Sequence, residues 1–386
     1  MLWPVSSSAT TAAAARLEGF ERAARKLGVS AVTIVPSQTE RLESAPKDGA
    51  ESLKLYDSYA SMGILASLVW LPGSTLSLIR FLKRQRCRCV IASTPAPFVP
   101  FQGVVASKIL NIPFVLDVRD SWEIESVTHE GAVRNRVKES LERLCARSAD
   151  RVWFVTSLLL ERLRAKYGLE PGHLLLVPNG ADLQQFGPSD RPRPVDLVFL
   201  GSPARYRNVN AVMRSVAELK RARPSVRAQF MGWAGAPNED AIRSLVIELG
   251  LKENVELAPA VPRSEVSRAL AKARLGIVSF SEEPSLRGAI GAKAYEYIAC
   301  GIPLACLGPE GDSELRRLVE TGPLGFYASN PEEFAAAAEE LLGDEVRWGQ
   351  YSGNCISTSK AFDRQEICER ALRDSVIPLL TISGGG

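Results

Sequence analysis

Histidine is nearly missing from this chain, with two residues in 386, His129 and His173. A zinc site or a histidine-centred nucleophile relay therefore has almost no material. No Asp-x-Asp pair occurs, which removes the simplest carboxylate clamp for a divalent ion, so no metal is expected. No G-x-G-x-x-G follows the opening apolar segment, and "GAIGAK" (288–293) lacks the spacing of a phosphate loop, so no bound cofactor is expected either. Charge of one sign is lacking too: 47 basic against 44 acidic residues leave +3, which argues against nucleic acid as a partner. The seven cysteines (87, 89, 145, 300, 306, 355, 368) form no C-x-x-C and no disulfide-like spacing, which favours a reducing compartment, the cytoplasm. The opening residues lack the basic start of a secretory signal; their Ala-rich part reads as an amphipathic helix carrying Arg16, Glu18, Glu21 and Arg22.

Long apolar runs are also scarce. The longest, "SYASMGILASLVWLPGSTLSLIRFL" (58–82), is broken by Pro72-Gly73 and holds several serines, a poor membrane span. It leads into Arg80, Lys83, Arg84, Arg86 and Arg88. Two readings stand: a buried helix with a solvated basic end, or a peripheral face through 80–88 that meets anionic lipid on the inner side of the membrane.

What the chain does have is alternation. Strand-like runs at 88–93, 113–118, 151–156 and 173–178 are separated by helical stretches near 97–110, 131–147 and 157–167, with a strand and helix at 2–5 and 11–27 and "AVTIVPS" (31–37) ahead of them. Apolar strands alternating with such helices mean parallel βαβ units. "GPSDRPRP" (187–194) reads as a linker, and the alternation then restarts with strands at 195–201, 226–232, 254–259, 275–280 and 302–308. The expected fold is α/β: a Rossmann-like N-terminal domain over 1–186 and a second over 195–360, two doubly wound parallel sheets facing across a cleft. A helix over 361–380, striped by Phe362, Ile367, Leu372 and Ile377, is expected to pack back onto the first domain.

Two basic features draw attention. In "GAKAYEYIACGIP" (291–303), Lys293 and Glu296 stand three apart on a helix that is otherwise small or apolar. A loop rich in Gly, Ser and Pro precedes it, with Gly288 and Gly291 permitting close backbone approach. The free N–H groups at Gly291 and Ala292 form an anion site, where a first-turn lysine is unfavourable unless an anion is present. Glu296, a turn deeper, suits a diol such as ribose, and together these describe a nucleoside-diphosphate site. The alternative is a surface ion pair at i,i+3, worth about 0.2–0.5 kcal/mol. In "FLGSPARYRN" (199–208), Arg205 and Arg207 sit on a loop past a strand, placed to clamp phosphate or simply to meet solvent. "DVRDSW" (117–122) adds Asp120, a candidate to orient an acceptor hydroxyl, and Arg119, to bind that acceptor or pair with Asp120; an Arg119–Asp117 ion pair closing the loop is the alternative. Asn179-Gly180 reads as a structural turn and His129 as a loop residue.

From about residue 68 to 343 the chain resembles the GT-B-fold retaining glycosyltransferases of the family-4 type (bacterial glycosyltransferase, group 1). "VPNGADLQQF" (177–186) and "KAYEYIACGIP" (293–303) are the specific matches. The resemblance implies that Lys293 and a basic residue at the Arg207 position hold the donor's diphosphate, that Glu296 holds the ribose, and that 117–122 lies near the transferred sugar and the acceptor. Three departures stand out: Gly288 replaces the first carboxylate of the family's Glu-x(7)-Glu, Ser202 follows Gly201 where the family has arginine (with Arg205 as a substitute), and "SSSATT" (6–11), including Ser7, replaces a glycine-rich loop. The resemblance implies metal-independent transfer of a sugar from a nucleoside diphosphate to a hydroxyl, with retention, resting on Arg207, Lys293 and Asp120. A lipid-linked acceptor fits the basic segment. A nucleotide-sugar epimerase and a catalytically silent nucleotide-sugar-binding subunit are the rivals.

Overall fold

The computed structural model describes residues 1, 12–34, 64–94, 98–120 and 132–382, with the backbone alone at 12, 64–70, 132–134 and 382. They divide into two compact units, one running to Pro178 and resuming at Gln365, the other Asn179–Arg364. The proline-rich 187–194 lies inside the second unit, where Arg193 donates to the carbonyls of Ala273 (2.7 Å) and Cys300 (3.2 Å).

In the first unit four parallel strands lie side by side in chain order: β1 (Val90–Ser93), β2 (Phe114–Val118), β3 (Arg151–Phe154) and β4 (Leu174–Leu176). β1 and β2 are buried at every position, as near-continuous apolar text demands of a strand covered on both faces, with Ser93 and Asp117 the polar exceptions. The helices are α1 (Ala12–Lys26), α2 (Ile64–Arg84), α3 (Phe98–Leu110), α4 (Ala132–Ser148) and α5 (Ser157–Tyr167). Leu78, Phe81 and Leu82 of α2 and Val99 and Val104 of α3 cover one face, over Phe114, Leu116 and Phe154. The predicted strand at 2–5 lies outside the described residues, and of 31–37 the described part adds a hydrogen bond from Ile34 N–H to the Met1 carbonyl (2.8 Å).

Pro72 does not break α2. The helix runs through it, and the Leu71 carbonyl accepts from the hydroxyls of Ser74 (3.1 Å) and Thr75 (2.6 Å). These are bonds of serine and threonine back to the i−3 and i−4 carbonyls, which keep both hydroxyls satisfied within the helix. Gln102 of α3 donates to Ser74 Oγ (2.7 Å), tying the two helices together.

The second unit is a six-stranded parallel sheet of β5 (Val195–Leu200), β6 (Ala228–Met231), β7 (Val255–Ala258), β8 (Ala273–Ser279), β9 (Leu304–Leu307) and β10 (Gly325–Ala328), ordered β7-β6-β5-β8-β9-β10. Its helices are α6 (Val209–Ala222), α7 (Glu239–Glu248), α8 (Arg263–Leu270), α9 (Ala292–Ala299), α10 (Glu314–Thr321), α11 (Pro331–Gly343) and α12 (Glu345–Ser359). Gly180 meets the end of this unit at close quarters: a Cβ there would lie 2.3 Å from the Phe362 carbonyl oxygen, and Arg364 donates twice to the Gly180 carbonyl (2.8 and 3.1 Å).

The C-terminal segment then joins the first unit. It forms α13 (Arg364–Ala371), a π-turn at Leu372–Val376 and α14 (Ile377–Ile382). The extra residue in that turn shifts the helical phase, so Val376 is buried and Ile377 only half so; Phe362 packs in the second unit against Tyr295, ring centroids 4.9 Å apart. Ile367, Leu372, Val376 and Leu379 close the other face of the first sheet with Leu17, Phe20 and Trp153. The Trp153 indole donates to Ser375 Oγ (3.0 Å), both buried.

Candidate active site

In the second unit the strand order reverses between β5 and β8, and in open α/β sheets ligands bind beyond the strand carboxyl ends at such a switch point. Both basic features of the second unit stand there. After β5, Arg205–Arg207 make one 3₁₀ turn, and Asn208 takes a left-handed conformation (φ 49°) before α6. After β8 a second 3₁₀ turn, Pro284–Gly288, leads to α9, whose N-cap Gly291 offers no side chain to its amides. The loops are joined: Ser281 N–H donates to the Tyr206 carbonyl (2.8 Å) and Ser279 Oγ to the Arg207 carbonyl (2.6 Å).

Arg207 is thereby brought to the α9 N-terminus. A Cβ on Gly291 would lie 3.5 Å from Arg207 Nη1, and the guanidinium is flanked by Tyr206 (5.1 Å), Phe199 (5.8 Å) and Phe280 (5.8 Å). Such rings attract the cation while leaving its N–H groups available. Arg205 is exposed, and no hydrogen bond or ion pair of its side chain to α9 occurs among the described residues.

The position of α9 is set from beneath. Tyr297 accepts a hydrogen bond from Leu200 N–H (2.8 Å) at the end of β5, and burial pushes its hydroxyl pKa up, so it remains protonated. Gly276 makes this possible: a Cβ there would meet the Tyr297 ring at 2.5 Å, so only glycine lets the ring lie on β8.

Lys293 and Glu296 do pair, Nζ to Oε2 at 3.2 Å, but not at the surface: the Glu296 side chain is 3% exposed and that of Lys293 21%. A third residue also faces the Glu296 carboxylate. Arg263, which opens α8 after β7, places Nη1 3.5 Å from Glu296 Oε1, and its guanidinium lies 5.8 Å from the Phe186 ring. A buried carboxylate needs its counter-charge at hand, and here two cations supply it. Arg263 was missed in the sequence, although a basic residue just after a strand, behind Pro262, is the signal that singled out Arg207.

Four buried polar atoms lack a hydrogen-bond partner among the described residues of this neighbourhood: Arg207 Nε, Arg263 Nη2, Ser281 Oγ and Glu296 Oε2. The Lys293–Glu296 contact is thus an ion pair without hydrogen-bond geometry. An unmet buried group of this kind typically costs about 1–3 kcal/mol, more if charged. Three cations, one carboxylate and an uncapped helix start suit a polyanion that also carries hydroxyls. Gly288 ends the 3₁₀ turn before α9 and presents no carboxylate.

In the first unit the loop after β2 hangs on Thr94, whose hydroxyl accepts from the N–H groups of Arg119 (2.9 Å) and Asp120 (3.4 Å). Asp117 does not pair with Arg119. Its carboxylate takes two bonds from Arg16 of α1 (2.8 and 3.2 Å) and one from Ser93 (2.9 Å). Arg119 Nη1 has no hydrogen-bond partner among the described residues, and burial pushes the Asp120 carboxyl above its ordinary range against the pull of Arg119. Ser7, Trp122 and His129 lie outside the described residues. Among those described, no group of three His, Cys, Asp or Glu could hold a metal ion.

Residues 11–180 match the glycosyl transferase 4-like domain, and residues 194–344 match glycosyl transferases group 1. The chain belongs to the group 1 glycosyltransferases. D-inositol 3-phosphate glycosyltransferase 1 of Catenulispora acidiphila is 27% identical over 244 residues, covering 58% of this chain and 56% of that protein. This group 1 chain therefore spans a little over half the length of that curated relative. Sucrose-phosphate synthase from Thermosynechococcus elongatus superposes with a TM-score of 0.76 at 15% identity, over 96% of this chain and 94% of that one. Anabaena Alr3699/HepE in complex with UDP does so with 0.73 at 16% identity, over 98% and 99%. The four- and six-stranded parallel α/β domains are those of the GT-B fold.

Proposed function

We propose that this group 1 glycosyltransferase moves a sugar from a nucleoside diphosphate to a hydroxyl acceptor, with retention of the anomeric configuration and no metal. The observation that carries the reading is the set of unmet polar atoms on Arg207, Arg263, Ser281 and Glu296 around the uncapped start of α9. Arg207, Lys293 and the amides of Gly291 and Ala292 bind the diphosphate, Arg205 lends charge from the rim, and Glu296 accepts from the ribose. On the first unit Arg119 and Asp120 are the acceptor-side groups, and Gly288 faces the sugar where the family has a carboxylate. The acceptor oxygen attacks the anomeric carbon on the face the diphosphate leaves; the C–O bond to the diphosphate breaks with its electrons, and a departing phosphate oxygen takes the hydroxyl proton. The protein's part is orientation and stabilisation of the leaving charge.

A thermal-shift panel of UDP, GDP, ADP and dTDP with their sugars tests the donor class. A ligand at a hundred times its Kd adds about 2.7 kcal/mol of stability. One nucleotide family is expected to raise Tm; none doing so removes the reading. A second reading, binding without transfer, draws on Gly288. It predicts the same Tm rise but neither transfer nor hydrolysis, whereas an epimerase would convert the donor alone into a new sugar nucleotide.

The acceptor is proposed to be lipid-linked, reached from a membrane surface. Arg80, Lys83, Arg84, Arg86 and Arg88 are all exposed at the end of α2, with Leu76 46% exposed on the same helix. Among the described residues no helix is long and apolar enough to cross a membrane. Each cation near an anionic leaflet contributes about 1 kcal/mol. The protein is expected to sediment with phosphatidylglycerol vesicles and not with phosphatidylcholine, with Arg88→Ala weakening that partition roughly fivefold. Equal binding to both lipids, or to neither, excludes the assignment.

A further inference from the structure

Glu296 is held by two cations before any ligand arrives, and the proposed reaction asks one of them to leave. We propose that Arg263 is a positioning residue: it keeps the Glu296 carboxylate paired and oriented for the ribose when Lys293 turns from Glu296 to the diphosphate. This rests on the nucleotide reading above.

The geometry divides the two cations between the two carboxylate oxygens, with Lys293 at Oε2 (3.2 Å) and Arg263 at Oε1 (3.5 Å). Lysine is a point charge on a flexible stem, able to swing to a phosphate within reach of its helix turn. Arg263 is held at both its backbone and its guanidinium. Its backbone carbonyl accepts from Gln185 Nε2 (2.8 Å), and its planar guanidinium stands against Phe186. Once Lys293 has left, a carboxylate 3% exposed would be uncompensated unless a second cation stays. Oε2, which makes no hydrogen bond among the described residues, is then open to the ribose hydroxyls, while Oε1 stays anchored. The always-charged fork of arginine suits the anchor, and the mobile ammonium suits the phosphate.

Calorimetry decides this. UDP, GDP, ADP and CDP are first titrated into the wild-type protein, and the tightest is compared with its 2′,3′-dideoxy analogue. The hydroxyls are expected to be worth about ten- to a hundredfold in Kd, the range for hydrogen bonds to a charged group. In Arg263→Met the preference for the ribo form should fall to within about threefold, Arg263→Lys should recover part of it, and adding Arg263→Met to Glu296→Gln should change Kd no further. A merely structural arginine would weaken both ligands alike and leave the preference intact. If Arg263→Met binds with an unchanged preference, the nucleotide reading stands and the role of Arg263 is overturned. If no nucleotide binds the wild-type protein, the nucleotide reading itself falls, and this inference with it.

Discussion

Lys293→Ala and Arg207→Ala are each expected to lower turnover by about 10²–10³-fold, the usual cost of losing one charge-stabilising contact to a leaving group. Lys293 stands in the first turn of α9, and Arg207, on the turn after β5, is brought beside its N-cap Gly291 by the hydrogen bonds that join Ser279 and Ser281 to the Arg207 turn. Neither substitution should unfold the protein. Without Lys293 the Glu296 carboxylate still has Arg263, and without Arg207 three surrounding rings lose cation–π contacts, each of about 0.5–2 kcal/mol at most, while the hydrogen bonds to its carbonyl remain. The defect should lie in turnover of bound donor, measured under saturating donor in a single turnover. Unchanged turnover in both variants removes the phosphate assignment, whatever happens to donor affinity.

Asp117→Ala is expected to destabilise the first unit by about 3–5 kcal/mol, the range for breaking a buried ion pair from one side. The Arg16 side chain is 3% exposed and that of Asp117 fully buried, so the remaining guanidinium cannot reach water. It keeps the carbonyls of Val177 (2.9 Å) and Pro178 (3.0 Å), while Ser93 loses the carboxylate and keeps the Thr94 carbonyl (3.3 Å) as acceptor. At about 2–4 °C per kcal/mol for a domain of this size, Tm should drop by roughly 10 °C. Replacing both partners with apolar residues, Arg16→Met with Asp117→Leu, should restore much of it, because the cost is that of the orphaned charge. A loss under about 1 kcal/mol in Asp117→Ala would show that the pair does not hold the sheet to α1.

These two cases mark how far the sequence could be read. Nine strands were visible because each is a short, mostly apolar run bounded by turn or helical text. β10 (Gly325–Ala328) was not: it is a short edge strand opening on glycine. α12 was missed because "EVRWGQYSGNCISTS" has little helix propensity; it is set by burial of Cys355 and by Asp344, whose side chain accepts from Arg347 N–H (2.9 Å). In the site, Lys293, Glu296 and Arg207 stood out as charges in apolar or loop-end settings. Arg263 also follows a strand, but its part in the site depends on a carboxylate 33 residues away.

By itself, the sequence determined the doubly wound class, the helix that carries Lys293 and Glu296, and the family, since each rests on local periodicity or a contiguous motif. Only the tertiary structure decided that Asp117 answers Arg16, that Glu296 has two counter-ions, and that Arg207 and not Arg205 reaches Gly291. Those are matters of which charges the folded chain brings within 3 or 4 Å in a medium too dry to screen them, and no spacing along the chain encodes that distance.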